Sequence, residues 1–311
     1  MTARKTSTLF AALAGVIVAT LVAPPGAAVA EERPLVRFGV VADPQYAPVP
    51  PSRTRFFANS LWKLSVAVDA FNQQELDFVV TLGDVIDRHA QSFQHILPIY
   101  RELRAEHRVV LGNHDFYVHR DYLETVPTFL GLAERHYEFT VGGVRFIALD
   151  GNDLSLYANR EGTDGYAASR AMYDALVAAD APNAQRPNGG LSLAQLAWLR
   201  ARLDAARAEG LPVVVLSHFP AAPAGGSLNL WNADDVVMML GEYDNVLAYL
   251  NGHDHAGNYA QVDGIHYVTF EGMVDTPAET AYGVVEIYPD RLVIEGEGRL
   301  TDRELPLDRG D

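Results

Sequence analysis

There is no cysteine in this chain of 311 residues. That rules out disulfides and a lipid-modified cysteine anchor, so stability must come from packing, and cysteine usage says nothing about redox compartment. Positive charge is scarce: 24 Lys and Arg stand against 40 Asp and Glu, a formal net charge of -16. So acidic a surface opposes nucleic acid or an anionic membrane as a partner. It also opposes a phosphate substrate, unless bound cations invert the local field. There is no internal repeat, and no composition shift that divides the chain. With 49% hydrophobic residues it can bury the core of one sizeable domain.

One long apolar run is present, residues 9–23, "LFAALAGVIVATLVA". It is shorter than the ~20 residues a membrane helix needs. Arg4 and Lys5 precede it, and "PPGAAVA" comes after it, ending in Ala28-Val29-Ala30. This pattern reads as a Sec-type signal peptide over residues 1–30, cleaved after Ala30, with an uncleaved anchor as the alternative. No twin arginine is present. The expectation is an exported protein, periplasmic or secreted, with no membrane association after cleavage. Without residues 1–30, which hold Arg4 and Lys5 and no acid, the charge moves from -16 to -18. Oligomeric state is not legible.

The remainder, residues 31–311, alternates strand and helix signals. "LVRFGVVA" is apolar on both faces, as in a covered sheet. "ANSLWKLSVAVDAFNQQ" carries Leu61, Leu64, Val68 and Phe71 at helical spacing. "LDFVVTL" is a second strand; a helix is expected around 91–105, then the strand "HRVVL". "SLAQLAWLRARLDAARAEG" opens on a capping box, Ser192 with Gln195, and ends at Gly210 before Pro212. "PVVVLS" and "NVLAYL" are further strands. Hairpins turn at Gly142-Gly143, Asp263-Gly264 and Pro289-Asp290. Such a pattern predicts an α/β fold with two packed sheets flanked by helices. Residues 151–190 break the rhythm and read as a lid-like insertion.

The stretch "VRFGVVADPQYA" poses a chemical question, because a buried strand rarely ends in a carboxylate, a proline and an amide. Four other strands end in the same polar manner: "GDVID" at 83–87, "GNHD" at 112–115, "SHFP" at 217–220 and "GHDH" at 252–255. Residues i and i+2 of a strand share a face, so Asp43 with Gln45, and His253 with His255, would each form a two-pronged clamp. Glycines 83, 112 and 252 would let the backbone turn beside a small ion. Each piece alone is commonplace. Asp-x-Gln, Gly-Asp, Gly-Asn-His-Asp, Ser-His and Gly-His-x-His in that order are not.

This order resembles the calcineurin-like metallophosphoesterases, across essentially the whole of residues 31–311. Within them the chain is most similar to the manganese-dependent ADP-ribose/CDP-alcohol diphosphatases, through "ADPQYA", "GDVID", "LGNHDFY", "NGGLSLAQLAWL", "LNLWN", "GHDHAGNY" and "YGVVEIYPDRLVIEGEGR". The resemblance implies a four-layer α-β-β-α sandwich of two mixed β-sheets. It implies two divalent ions, Mn²⁺ first, with Fe, Zn or Co as alternatives. Asp43, Gln45, Asp84 and His255 would hold the first ion. Asp84, Asn113, His218 and His253 would hold the second, with Asp84 bridging. Two ions ~3.5–4 Å apart need a shared anion, which a carboxylate supplies. Gln45 stands where most of the superfamily has histidine, and a neutral oxygen there favours Mn²⁺ over Zn²⁺. His114 is the implied catalytic residue, with Asp115 expected to orient it. At Asp87 the purple phosphatases carry a metal-binding tyrosine, so no purple colour is expected.

The implied reaction is hydrolysis of the pyrophosphate of a nucleoside diphosphate linked to an alcohol or sugar, of the ADP-ribose, CDP-choline or CDP-glycerol type, by a hydroxide between the metals. Tyr46, His89, Phe116 and Trp231 are candidate substrate contacts, with Phe56 and Tyr117 as further aromatics nearby. Asn232 is expected to cap the helix that begins at "WNADD". The alternative activity is an exported phosphodiesterase or phosphomonoesterase acting on cyclic nucleotides or simple esters. A non-catalytic scaffold is disfavoured, because His114 and the bridging Asp84 are both present.

Overall fold

A computed structural model describes residues 1–2 and 32–307. Apart from its first two residues, the expected signal peptide lies outside the described residues. Pro34–Asp311 is one compact unit. Its first half runs β1 (Val36–Val41), α1 (Ser60–Phe71), β2 (Phe78–Leu82), α2 (Gln91–Tyr100), β3 (Glu106–Val110), α3 (Val126–Phe129), β4 (Tyr137–Val141), β5 (Val144–Ala148) and α4 (Asp164–Ala178). Its second half runs α5 (Leu193–Ala208), β6 (Val213–Leu216), α6 (Ala233–Gly241), β7 (Val246–Asn251), β8 (Asn258–Val262), β9 (Ile265–Thr269), β10 (Ala281–Ile287), β11 (Arg291–Gly298) and β12 (Arg303–Pro306). No helix among the described residues is long and apolar enough to cross a membrane.

Two six-stranded mixed sheets result, ordered β12-β11-β10-β1-β2-β3 and β4-β5-β6-β7-β9-β8. The continuous apolar strands are explained by double cover. In β1, Phe38 and Val40 enter the core between the sheets, while Val41 packs outward against the α1 residues Leu64 and Val68. In β6, Val214 and Leu216 face the other sheet, while Val213 and Val215 pack against Leu199 and Leu203 of α5. Phe38 stacks on Phe78 at 4.7 Å, and Phe146 of the second sheet meets Phe38 edge-on at 5.5 Å. Each such pair adds ~0.5–1.5 kcal/mol beyond its buried area. The layers are thus helix, sheet, sheet, helix.

Local expectations fared unevenly. The three hairpins form where the glycine and Pro-Asp turns place them. The helix expected over 91–105 stops at Tyr100. Asn72, at the end of α1, binds the carbonyl of Glu102 and the N–H of Arg104, at 2.8 Å each, and draws that segment off the helix axis. Asn232 precedes α6 but does not cap it. Its amide pairs instead with both backbone groups of Leu191, at 3.0 Å each. Within residues 151–190, the short helical patch becomes α4, with Thr163 capping Tyr166 N–H at 3.2 Å.

Candidate metal centre

The five polar strand ends lie just beyond β1, β2, β3, β6 and β7. Strands β1, β2 and β3 run parallel in one sheet, and β6 and β7 run parallel in the other. Their C-terminal ends therefore share one edge of each sheet, the usual place for a site in α/β folds. Pleat alternation does not produce the convergence expected of it. Strands β1 and β7 end at Val41 and Asn251, before the ligands begin. Asp43, Gln45, Asp84 and His253 instead adopt left-handed backbone, at φ of 50°, 42°, 54° and 69°. Non-glycine residues there are strained by on the order of 1 kcal/mol each. Specific bonds hold them: Gln45 N–H to Asp84 O at 2.8 Å, and His253 N–H to Asp43 Oδ2 at 3.0 Å. A Cβ on Gly112 would fall on the backbone nitrogen and Oδ1 of Asp84, and one on Gly252 would meet Asp43 Oδ2.

The side chains meet as two adjoining groups. In one, His218 Nδ1 donates to Leu82 O at 2.8 Å, so Nε2 turns inward. That nitrogen lies 3.1 Å from Asn113 Oδ1, 3.4 Å from Asp84 Oδ2 and 3.2 Å from His253 Nδ1. Ligand atoms of Asp84, His218 and His253 all fall within 4.8 Å of one another. In the other group, His255 Nδ1 donates to Asp275 Oδ2 at 2.8 Å, and Nε2 faces Asp43 Oδ1 at 3.4 Å. Gln45 Nε2 reaches Asp84 Oδ2 at 2.8 Å and His255 Nε2 at 3.1 Å. Asp84 touches both groups.

A cation fits this donor set on three counts. Asp43 Oδ1 and Gln45 Oε1 are buried without a hydrogen-bond partner. Acceptors with no intervening donor crowd together around His218 Nε2, an arrangement that needs a proton or a metal. The electrostatics agree. Burial opposes charge on Asp84, His218 and His255, yet Asp84 is held well below the usual carboxylate range by His218, His114 and His253. His218 is lifted to about 9 by Asp84, and His255 to about 9 by Asp43 and Asp275, both against burial. Protons thus occupy positions a divalent ion would take, and an ion would displace them. Gln45 departs from expectation in one respect: its amide nitrogen faces Asp84, so an oxygen ligand needs the amide turned over.

His114 sits above this cluster, its backbone N–H bonded to Asp84 Oδ1 at 2.7 Å. Its Nδ1 lies 3.0 Å from the Asp87 carbonyl and 3.1 Å from Asp87 Oδ1. A carbonyl only accepts, so Nδ1 carries a proton and Nε2 faces outward. Burial would raise the Asp87 carboxyl, but His114 and Arg88 outweigh it and hold it low. Asp115, expected to orient His114, does not. Its carboxylate accepts from Gly112 N–H at 2.9 Å and Ile86 N–H at 3.2 Å, tying the β3 loop to the β2 loop. Burial and the charge of Asp84 push that carboxyl up to about 7. Asp87 does the orienting instead.

The cluster opens into a cavity of about 650 Å³. Gln45, Asn113, His114, His253 and His255 form its floor; Arg53, Arg55 and Arg88 stand in its wall, with Phe57, Tyr117, Pro187 and Leu228. The sequence profile of the calcineurin-like phosphoesterases matches residues 36–257. The chain belongs to this family. A manganese-dependent ADP-ribose/CDP-alcohol diphosphatase from Bos taurus is 31% identical over 319 residues, covering 86% of this chain and 93% of that protein. One of the same name from Oryza sativa subsp. japonica is 31% identical over 306 residues, covering 88% and 94%. A crystal structure of a dimetal phosphatase from Danio rerio superposes with a TM-score of 0.79 at 26% identity, over 88% of this chain and 100% of that one.

The substrate contacts read from the sequence lie elsewhere for the most part. Tyr46 is buried, its hydroxyl on His95 Nδ1 at 2.9 Å. Phe116 is buried beneath Arg135, whose guanidinium lies 4.9 Å from the ring centre. Trp231 is buried and lines a separate cavity with Met172 and Asn183. His89 is exposed, and its neighbour Arg88 lines the phosphoesterase cavity in its place. Tyr117 is in the wall, 4.6 Å from the His114 ring. Sequence reasoning missed Arg53, Arg55 and Asp275, which belong to no motif. Of residues 151–190, Pro187 lines the cavity and Asn188 touches His253, while α4 borders the other cavity.

Proposed function

We propose that this phosphoesterase hydrolyses the pyrophosphate linkage of nucleoside diphosphate compounds of the ADP-ribose and CDP-alcohol type, with two divalent ions, Mn²⁺ foremost. The observation that carries the reading is one cavity lined by Gln45, Asn113, His253, His255, His114 and three arginines, directly over the buried Asp84 and His218. The names of the relatives at about 31% identity support the substrate class. Asp43, Gln45, Asp84 and His255 would hold one ion, and Asp84, Asn113, His218 and His253 the other. When bound, the ions neutralise phosphoryl oxygens and lower the pKa of a coordinated water from ~15.7 toward ~7.

The chain's own groups do the rest. Asp87 holds the His114 ring through its Nδ1 proton and so turns Nε2 toward the leaving oxygen, the position from which a proton would be delivered. Arg55 NH1 lies 3.5 Å from that Nε2, and because a guanidinium only donates, Nε2 accepts from it; both groups address the same part of the cavity. Arg53 and Arg88 extend the positive wall, so the second phosphoryl group of a diphosphate meets guanidinium donors. Tyr117 and Leu228, half-buried in the wall, offer apolar surface for a base or sugar. Asp87, Asp254 and Asp275 line the same cavity, so the three arginines balance its acidic side chains and the ions would supply the net positive field.

We also propose export through cleavage after Ala30, on the pattern of residues 1–30. The decisive experiment uses residues 31–311 loaded with Mn²⁺ and assayed on ADP-ribose, CDP-choline, CDP-glycerol, cyclic AMP and bis-p-nitrophenyl phosphate. Turnover of the diphosphates above the diesters is expected. Preference for cyclic AMP or the simple diester would favour the phosphodiesterase reading, and no turnover with two ions bound would overturn catalysis. Mature protein in the extracellular or periplasmic fraction checks the export.

A further inference from the structure

The motif "NGGLSLAQLAWL" contributes one residue to the metal centre that no functional role yet covers, Asn188. It is fully buried. Its Nδ2 faces three carbonyl oxygens, Ser227 O and Asn229 O at 2.9 Å each and Asn183 O at 3.2 Å. Carbonyls only accept, so this atom is the nitrogen and the other is the oxygen. That oxygen lies 3.1 Å from His253 Nε2. An amide oxygen also only accepts, so Nε2 must carry the His253 proton. His253 Nδ1 is then a bare lone pair, and it points at His218 Nε2, 3.2 Å away, inside the group with Asp84.

Asn188 is itself locked in place. Leu154 and Gly190 exchange both backbone hydrogen bonds, at 2.9 and 2.8 Å, and Trp231 N–H bonds Gly189 O at 2.8 Å. A Cβ on Gly189 would strike Gly151 O, so the chain passes too close to its neighbour for another residue.

We propose that Asn188 is the positioning residue of His253: its amide oxygen fixes the imidazole proton on Nε2 and presents Nδ1 to the ion held with Asp84, Asn113 and His218. The same amide ties residues 183–188 and the 227–229 segment, which puts Leu228 in the cavity wall, to that ligand. The inference rests on the reading that these four residues hold an ion. Partners of this kind set ligand orientation and basicity, and losing one weakens metal binding 10–100-fold.

Two measurements test it. Mn²⁺ alone is titrated calorimetrically into the unsubstituted protein and into Asn188→Ala. Two sites are expected in the former; in the variant one site weakens 10–100-fold and the other stays within about twofold. Equal affinities at both sites, with only a lower melting temperature, would overturn the inference and leave the metal reading intact. Fewer than two ions on the unsubstituted protein would overturn both. The second measurement needs no variant of Asn188: long-range ¹H–¹⁵N correlation on the metal-free protein, with His253 assigned through His253→Asn. A proton on Nε2 is expected, and a proton on Nδ1 sinks the inference even if Asn188→Ala fails to fold.

Discussion

At the scale of residues, the two aspartates beside His114 have exchanged the roles that adjacency in sequence suggests. Asp115 accepts two buried backbone N–H groups, so Asp115→Asn leaves one of them facing an amide nitrogen. A stability loss of about 1–3 kcal/mol is expected in urea unfolding, with kcat of the folded fraction little changed. Asp87→Asn should do the reverse, lowering kcat with Mn²⁺ affinity retained, because the proton on His114 Nδ1 loses its charged partner. His114→Ala should retain both ions and lose about 10²–10⁴ in kcat; metal loss in that variant would mean its role is structural. Gln45 presents its nitrogen to Asp84, yet its amide is the one neutral, hard donor on the first ion's side. Gln45→His is expected to shift preference from Mn²⁺ toward Zn²⁺, read by competitive metal titration.

At the scale of elements, the site is built by the loops that leave the strands. Four ligands take left-handed backbone, and the loops approach closely enough that Gly112 and Gly252 have no room for a Cβ. Gly112→Ala should therefore displace Asp84 and abolish the binding of two ions, while circular dichroism reports the fold intact. The loop after β9 is secured differently. Lys63 of α1 is fully buried, and its ammonium donates to Met273 O, Asp275 O and Thr276 O at 2.8, 2.6 and 2.8 Å. This loop carries Asp275, the partner of His255 Nδ1. Lys63→Met strands the carbonyls of Met273 and Asp275 in the interior, each lost partner costing about 1–3 kcal/mol, and frees that of Thr276. A lower melting temperature and a weaker first ion are both expected.

At the scale of the whole molecule, ions bound only to the folded state stabilise it. At ~100 times its dissociation constant each ion adds ~2.7 kcal/mol. The melting temperature should rise with Mn²⁺ and fall with chelator; no change would mean the native site is not the one that binds. Acid should destabilise the fold partly through His107. Burial lowers that imidazole to about 3, where it sits 2.9 Å from Thr81 Oγ1 and stacks on Tyr100. The unfolded chain binds a proton there near pH ~6.5 and the folded chain does not, so stability present above pH ~6.5 is lost as pH falls toward 3. The slope is at most ~1.4 kcal/mol per pH unit, and His107→Gln should flatten it in urea unfolding monitored from pH 7 to pH 4.5.

By itself the sequence determined the alternating apolar strands, the hairpin turns and the order of metal-binding residue types, because each is a local property of spacing, period or chemistry. These were enough for the layered fold, and they point to the candidate ligands whose side chains the structure brings together. Only tertiary structure decided which groups serve them. Asp87 rather than Asp115 faces His114, Asp275 faces His255 and Asn188 faces His253. The arginines of "SRTR" and Arg88 reach the cavity, while Tyr46 and Phe116 turn into the core and Trp231 lines the other cavity. Those assignments depend on side-chain direction across loops from two sheets, and left-handed turns redirect side chains in a way that no strand or helix period records.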